Sequence, residues 1–161
     1  MSDATPTIES MFDNNDTAAT LDDLQALIGA GNAERGFHEQ GDRLRLHAKA
    51  YSEEFPESRY RFAEDNLRNY YITKLALIGT EVSEAIEELR NGNGADERYY
   101  SPDTDAFDSP LKPEGMPSEL ADIVIRSFDL AAEVGFSLGE VIAEKLAFNA
   151  LRGHRHSGKA V

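Results

Sequence analysis

The sequence predicts an all-α fold, a helical bundle, and three observations carry that reading. Apolar residues recur at helical spacing, as in Leu75, Ile78, Val82, Ala85, Ile86 and Leu89. No segment alternates apolar and polar residues with the period of a strand, and no internal repeat is present. Helix punctuation is frequent: Pro117 ahead of one apolar run, Ser137 with Glu140 ahead of another, and Gly92 just after Arg90.

Taken in order, residues 1–19 are small, polar and acidic, and are expected to form a flexible arm. Residues 20–161 then form a single domain. Thr20 and Asp23 suggest an N-cap before "LDDLQALIGAGNAERGF", an imperfect helix with glycines at 29, 31 and 36. "DRLRLHAKAYSEEF" is a second helix, stopped by Pro56. A third runs from about Ser58 to Leu89, with a possible break near residue 70, and ends at "RNGNG". Residues 91–117 read as a long loop, rich in proline, glycine and asparagine. "PSELADIVIRSFDLAAEVG" and "LGEVIAEKLAFNALRG" are the last two helices.

At 161 residues the chain suits one hydrophobic core. Its net charge of −14 argues against nucleic acid and anionic membrane surfaces as partners, since both are recognised through excess Lys and Arg. The absence of cysteine excludes disulfides and thiolate metal sites. No apolar run approaches the roughly 20 residues of a membrane span, and the acidic start is unlike a signal peptide. A soluble, cytoplasmic protein is expected. The charge is uneven, because residues 145 to 161 hold Lys145, Arg152, Arg155 and Lys159 and no acid.

Two acidic pairs stand out. Glu81 and Glu84 lie one turn apart on the third helix, and Glu119 and Asp122 do the same on the next. At about 100° per residue, Glu81 sits roughly 80° from the centre of its apolar stripe. On the following helix Leu120, Ile123, Val124, Phe128 and Ala131 form the stripe, with Glu119 and Asp122 on its flank. Antiparallel packing would converge four carboxylates, whose repulsion a hard divalent cation such as Mg²⁺ or Mn²⁺ relieves. With 30 acidic residues, however, such spacing also arises on a solvated face. Both helices are apolar around more of their circumference than a surface helix needs, which suits a bundle interior or a subunit interface. Lys145, Asn149 and Arg152 fall on one face of the last helix and suit phosphate, although a basic helix C-terminus is also ordinary.

Together, "KLALIGTEVSEAIEELRNG", "KPEGMPSELADIVIRSFDLA" and "EKLAFNALRGHRHSGK" resemble the MazG-like branch of the all-α nucleoside triphosphate pyrophosphohydrolases, over roughly residues 72 to 160. The resemblance implies a metal site of Glu81, Glu84, Glu119 and Asp122, loaded with Mg²⁺, or with Mn²⁺ in its place. It implies phosphate contacts from Lys145, Asn149, Arg152 and Lys159, with His156 matching less diagnostically. It places Phe37, and with it His38, at the base. Glu81 or Glu84 would accept the proton of the attacking water. The implied reaction is hydrolysis of a nucleoside or deoxynucleoside triphosphate to monophosphate and pyrophosphate, in adjustment or sanitation of the nucleotide pool. A homodimer or homotetramer completing the site is implied as well. Gly153 departs from the family, which often has proline there, and the 91–117 loop is longer than in minimal members. The alternative is a non-catalytic acidic helical domain that senses nucleotides or binds a protein. A di-iron bundle is disfavoured, because no glutamate is followed by histidine three residues on.

Overall fold

The computed structural model describes residues 15–54, 56–104 and 108–151. Five helices and one small hairpin make up these residues: α1 (Asn15–Glu34), α2 (Glu39–Glu54), α3 (Glu57–Arg90), β1 (Tyr99–Pro102), β2 (Leu111–Glu114), α4 (Met116–Val134) and α5 (Leu138–Leu151). Among them, no helix is long and apolar enough to cross a membrane. Residues 1–14 of the expected arm lie outside the described residues, and 15–19 are already helical.

α3 is the spine. Its 34 residues run unbroken through position 70, spanning about 51 Å at 1.5 Å per residue. Asn91 and Gly92, the latter at φ +91°, close it at the predicted stop. α4 packs along α3 antiparallel: Glu81 meets Arg126, while Tyr70, eleven residues earlier, meets Glu133. α2 folds back on the first half of α3, and α1 lies on the other side of α4. α5 in turn packs on α1.

The α1–α4 approach depends on Gly29, where a Cβ would sit 2.6 Å from that of Ala132. At the α1–α5 crossing Ser137 caps α5 as expected, its Oγ accepting from the Glu140 N–H at 2.9 Å and donating to Asp22 at 2.6 Å. Gln25 completes this joint by accepting from the Leu138 N–H and donating to the Phe136 carbonyl. This packing carries helix back past Thr20, so the expected N-cap there is not formed and Thr20 lies inside α1.

Two further expectations are corrected. Residues 91–117 are not wholly loop: β1 and β2 pair antiparallel, Tyr99 opposite Glu114 and Pro102 opposite Leu111. Strands this short carry too few residues for an alternating pattern to register. The second correction concerns the apolar stripes of α3 and α4. Ala85, Phe128 and Ala131 of these stripes are buried, but Leu75, Val82, Ile86, Leu89, Leu120 and Val124 are exposed, whereas Glu81, Glu119, Asp129 and Glu133 are buried. α3 and α4 meet along the faces that carry their charges, and the apolar seam of α3 is left outside. Ile72, Leu75, Gly79, Val82, Ile86 and Leu89 follow the 3,4 spacing of a helix–helix seam.

Candidate metal and nucleotide site

Along its buried edge α4 presents Glu119, Asp122, Arg126, Asp129 and Glu133, spaced three and four residues apart and therefore aligned. Opposite them α3 places Glu81, Lys74 and Tyr70. The α3–α4 contact is thus a polar stripe, divided into an acidic half and a balanced half.

In the acidic half, Glu81, Glu119 and Asp122 each bring one carboxylate oxygen within 4.8 Å of the others. Glu119 is pushed up to about 7, first by burial and then by the charges of Glu84, Asp122 and Glu81. Asp122 is raised by burial and by Glu81, with Arg126 and Lys112 opposing. Glu84 is exposed and outside the close group of three, yet its charge is the strongest acting on Glu119. Three of the four predicted carboxylates therefore converge, and Glu84 lies near enough for its charge to act on Glu119. The donor set fits a hard divalent cation: it is entirely oxygen, and a cation would relieve the like-charge repulsion that raises Glu119. Glu87, Glu88 and Glu97 stand apart from this cluster. Glu88 is not simply solvated, since it accepts hydrogen bonds from Asn93 Nδ2 at 2.7 Å and Tyr99 OH at 3.1 Å.

Two residues of this region carry no motif and are missed by sequence reasoning. Arg126 Nε lies 2.7 Å from Glu81 Oε1. Lys112, from β2, holds Glu114 at 3.1 Å, and its charge is felt by Glu84, Glu119 and Asp122. The hairpin brings Lys112 there by two anchors, Tyr99 on Glu88 and Gly115 at φ +98°, where a Cβ would lie 2.4 Å from the Glu97 carbonyl. A lysine in an apparent loop offers no sequence signal for this placement.

The balanced half joins four helices. His38 Nε2 meets Asp129 Oδ1 at 2.7 Å, and Lys74 Nζ lies 3.4 Å from Asp129 and 3.3 Å from Glu133. Glu133 Oε1 accepts from Arg45 at 3.2 Å and from Tyr70 OH at 2.8 Å. Its Oε2 has no aligned hydrogen bond, so Lys74 reaches that oxygen by charge alone. Burial favours protonation of Asp129, but hydrogen bonds from Asn32 and His38 and the charge of Lys74 outweigh it and hold the carboxyl below its ordinary range. His38, Asp129 and Glu133 also bring ligand atoms within 4.8 Å of one another. Lys74 and Arg45 already neutralise that group, so a further cation has no charge to balance there.

Between the halves opens a pocket of about 330 Å³, lined by Asn32, Phe37, Lys74, Leu77, Asp122, Ile125, Arg126 and Asp129. Phe37 is 61% exposed and also walls a neighbouring pocket of about 430 Å³ with Gln40, Asn66, Asn69 and Thr73. Phe37 thus shares a pocket with Asp122, while His38 is engaged with Asp129. Lys145 and Asn149 are exposed on α5, which packs on α1 rather than along α3 or α4. Lys145 Nζ lies 5.5 Å from the centre of the Phe148 ring. The chain therefore does not gather Lys145 and Asn149 with its carboxylates, while Arg152, Gly153, His156 and Lys159 lie outside the described residues. Compared with protein-family models, with curated proteins and with solved structures, the chain matches none.

Proposed function

We propose that the protein is a Mg²⁺-dependent nucleoside triphosphate pyrophosphohydrolase of the MazG-like kind, acting on ribo- or deoxyribonucleotides. The observation that carries this reading is the convergence of Glu81, Glu119 and Asp122, with the Glu84 charge acting on Glu119, beside a pocket that Asp122 lines together with Phe37. Glu81, Glu84, Glu119 and Asp122 would hold the cation, with Mn²⁺ as a possible substitute. That cation supplies charge neutralisation to a polyphosphate and acidity to water, which carboxylates alone cannot.

The chain's own residues do the rest. Phe37 offers a ring face for a base to stack on. The ion network of His38, Lys74, Asp129 and Glu133 fixes the turn that presents Phe37. Glu84, the exposed member of the acidic group, is open to accept a proton, as is Glu81 once released from Arg126. Lys112 adds positive charge at the rim.

We further propose that a second copy covers the apolar seam of α3, giving the homodimer or homotetramer that the resemblance implies. Six seam positions at 3,4 spacing are an expensive surface to leave in water. Because Lys145 and Asn149 lie on α5, away from their own carboxylates, their phosphate role would be served in such an assembly.

The test is release of pyrophosphate from the eight common nucleoside and deoxynucleoside triphosphates, with Mg²⁺ and with EDTA. Metal-dependent pyrophosphate with equimolar monophosphate is the expected result. Binding without turnover across this panel and modified deoxynucleotides would replace the reading with a nucleotide-sensing domain.

A further inference from the structure

Arg126 sits where the acidic cluster meets the pocket. Its Nε contacts Glu81 at 2.7 Å, and the two side chains are 42% and 6% exposed, so a buried carboxylate is held by a guanidinium that is still open to solvent. Arg126 also lines the pocket with Phe37 and Asp122. The other cation there is committed, since Lys74 Nζ reaches Asp129, Glu133 and the Phe37 carbonyl. An arginine carries five N–H donors in a planar fork. The contact through Nε leaves the two terminal nitrogens for an acceptor in the pocket.

A carboxylate bound by a guanidinium is less available to a metal, because both cations draw on the same charge. We propose that Arg126 is the resident counter-ion of Glu81 in the metal-free protein, and that it changes partner when a divalent cation takes Glu81. Its fork then donates to an oxygen or nitrogen acceptor of the nucleotide, making Arg126 a substrate-positioning residue. The inference rests on the pyrophosphohydrolase reading and adds to it an exchange that couples metal loading to substrate binding. The acceptor belongs either to the polyphosphate or to the base.

The experiment uses the full chain and two variants, Arg126→Gln and Arg126→Lys, the second keeping a charge on Glu81 in case its loss unsettles the fold. Mn²⁺ alone is titrated calorimetrically into each. The Mn²⁺-loaded proteins are then titrated with a non-hydrolysable deoxynucleoside triphosphate analogue and with inorganic triphosphate. Arg126→Gln should bind Mn²⁺ at least threefold more tightly than the parent and the analogue at least tenfold more weakly. Arg126→Lys should retain near-parental Mn²⁺ affinity yet lose affinity for the analogue, because an ammonium has no fork. A parallel loss for inorganic triphosphate assigns the contact to phosphate; a loss confined to the analogue assigns it to the base. Mn²⁺ affinity in Arg126→Gln equal to or weaker than the parent's overturns the proposal, as does unchanged analogue affinity. If the parent binds Mn²⁺ but Arg126→Gln behaves like it, the exchange alone fails. If the parent binds no Mn²⁺, the metal site fails and the exchange with it.

Discussion

Glu119 is a carboxyl strongly altered by its surroundings. Held at about 7 by burial and three neighbouring carboxylates, it keeps a proton in the folded chain that the unfolded chain, with an ordinary carboxyl near 4.5, has already released. The folded state binds more protons across that window, so the metal-free protein should lose stability as pH rises from about 4.5 to 7. Thermal unfolding across this range should show the slope in EDTA, and both saturating Mg²⁺ and Glu119→Gln should flatten it. A slope that persists in Glu119→Gln assigns it to another group. Asp129 has the opposite sign: its lowered carboxyl stabilises the fold above its ordinary range and loses that contribution on acidification. Gly41 shows how closely the buried network is built, since a Cβ there would fall 1.8 Å from Glu133 Oε1 and 2.8 Å from the Tyr70 ring. Gly41→Ala should therefore cost about 2–4 kcal/mol, the scale of breaking a buried ion pair and well above the gain in helix propensity. Denaturant unfolding would check it.

At the scale of elements, α3 and α4 bury Glu81, Glu119, Asp129 and Glu133 between them and leave much of the α3 apolar stripe outside, while Ala85, Phe128 and Ala131 stay in the core. The pairs Glu81–Glu84 and Glu119–Asp122 are visible in sequence, because i, i+3 spacing fixes them on one side of a helix. Which side faces the neighbouring helix is not visible, since both sides of α3 satisfy a helical period. The hairpin is the second element hidden from sequence: four-residue strands hold together through Tyr99 on Glu88 and Gly115 against Glu97, contacts that no local pattern announces. Tyr99→Phe should loosen this joint by about 0.5–1.5 kcal/mol, the net worth of one hydrogen bond. Amide exchange should quicken in Tyr99–Pro102 and Leu111–Glu114 while α3 remains protected. Equal acceleration in both would mean that the hairpin and helix open together.

For the whole molecule, the described residues bury few large apolar side chains. Tyr70 and Phe128 are the large ones, with Ala63, Ala85 and Ala131 beside them, against four buried carboxylates. Such an interior is weak in hydrophobic terms, and exposed apolar residues lie on every helix, with the regular seam of α3 among them. If a second copy covers that seam as proposed, Val82→Asp with Ile86→Asp should dissociate the pair, read by analytical ultracentrifugation at micromolar concentration. A parent that is already monomeric there would remove the case for a second copy.

The sequence by itself determined the helical class, the stops before Pro56 and at Gly92, the cap at Ser137 and the spacing of the two acidic pairs. These follow from backbone sterics and from contacts three or four residues apart, which the linear order contains. Tertiary structure alone decided which face of α3 is buried, that Arg126 would hold Glu81, that His38 would serve Asp129, and that Lys112 would reach the acidic rim. Each of these depends on groups in different elements meeting at hydrogen-bond distance, or feeling one another's charge through a poorly solvated interior. A residue's own neighbours in the chain carry no record of that.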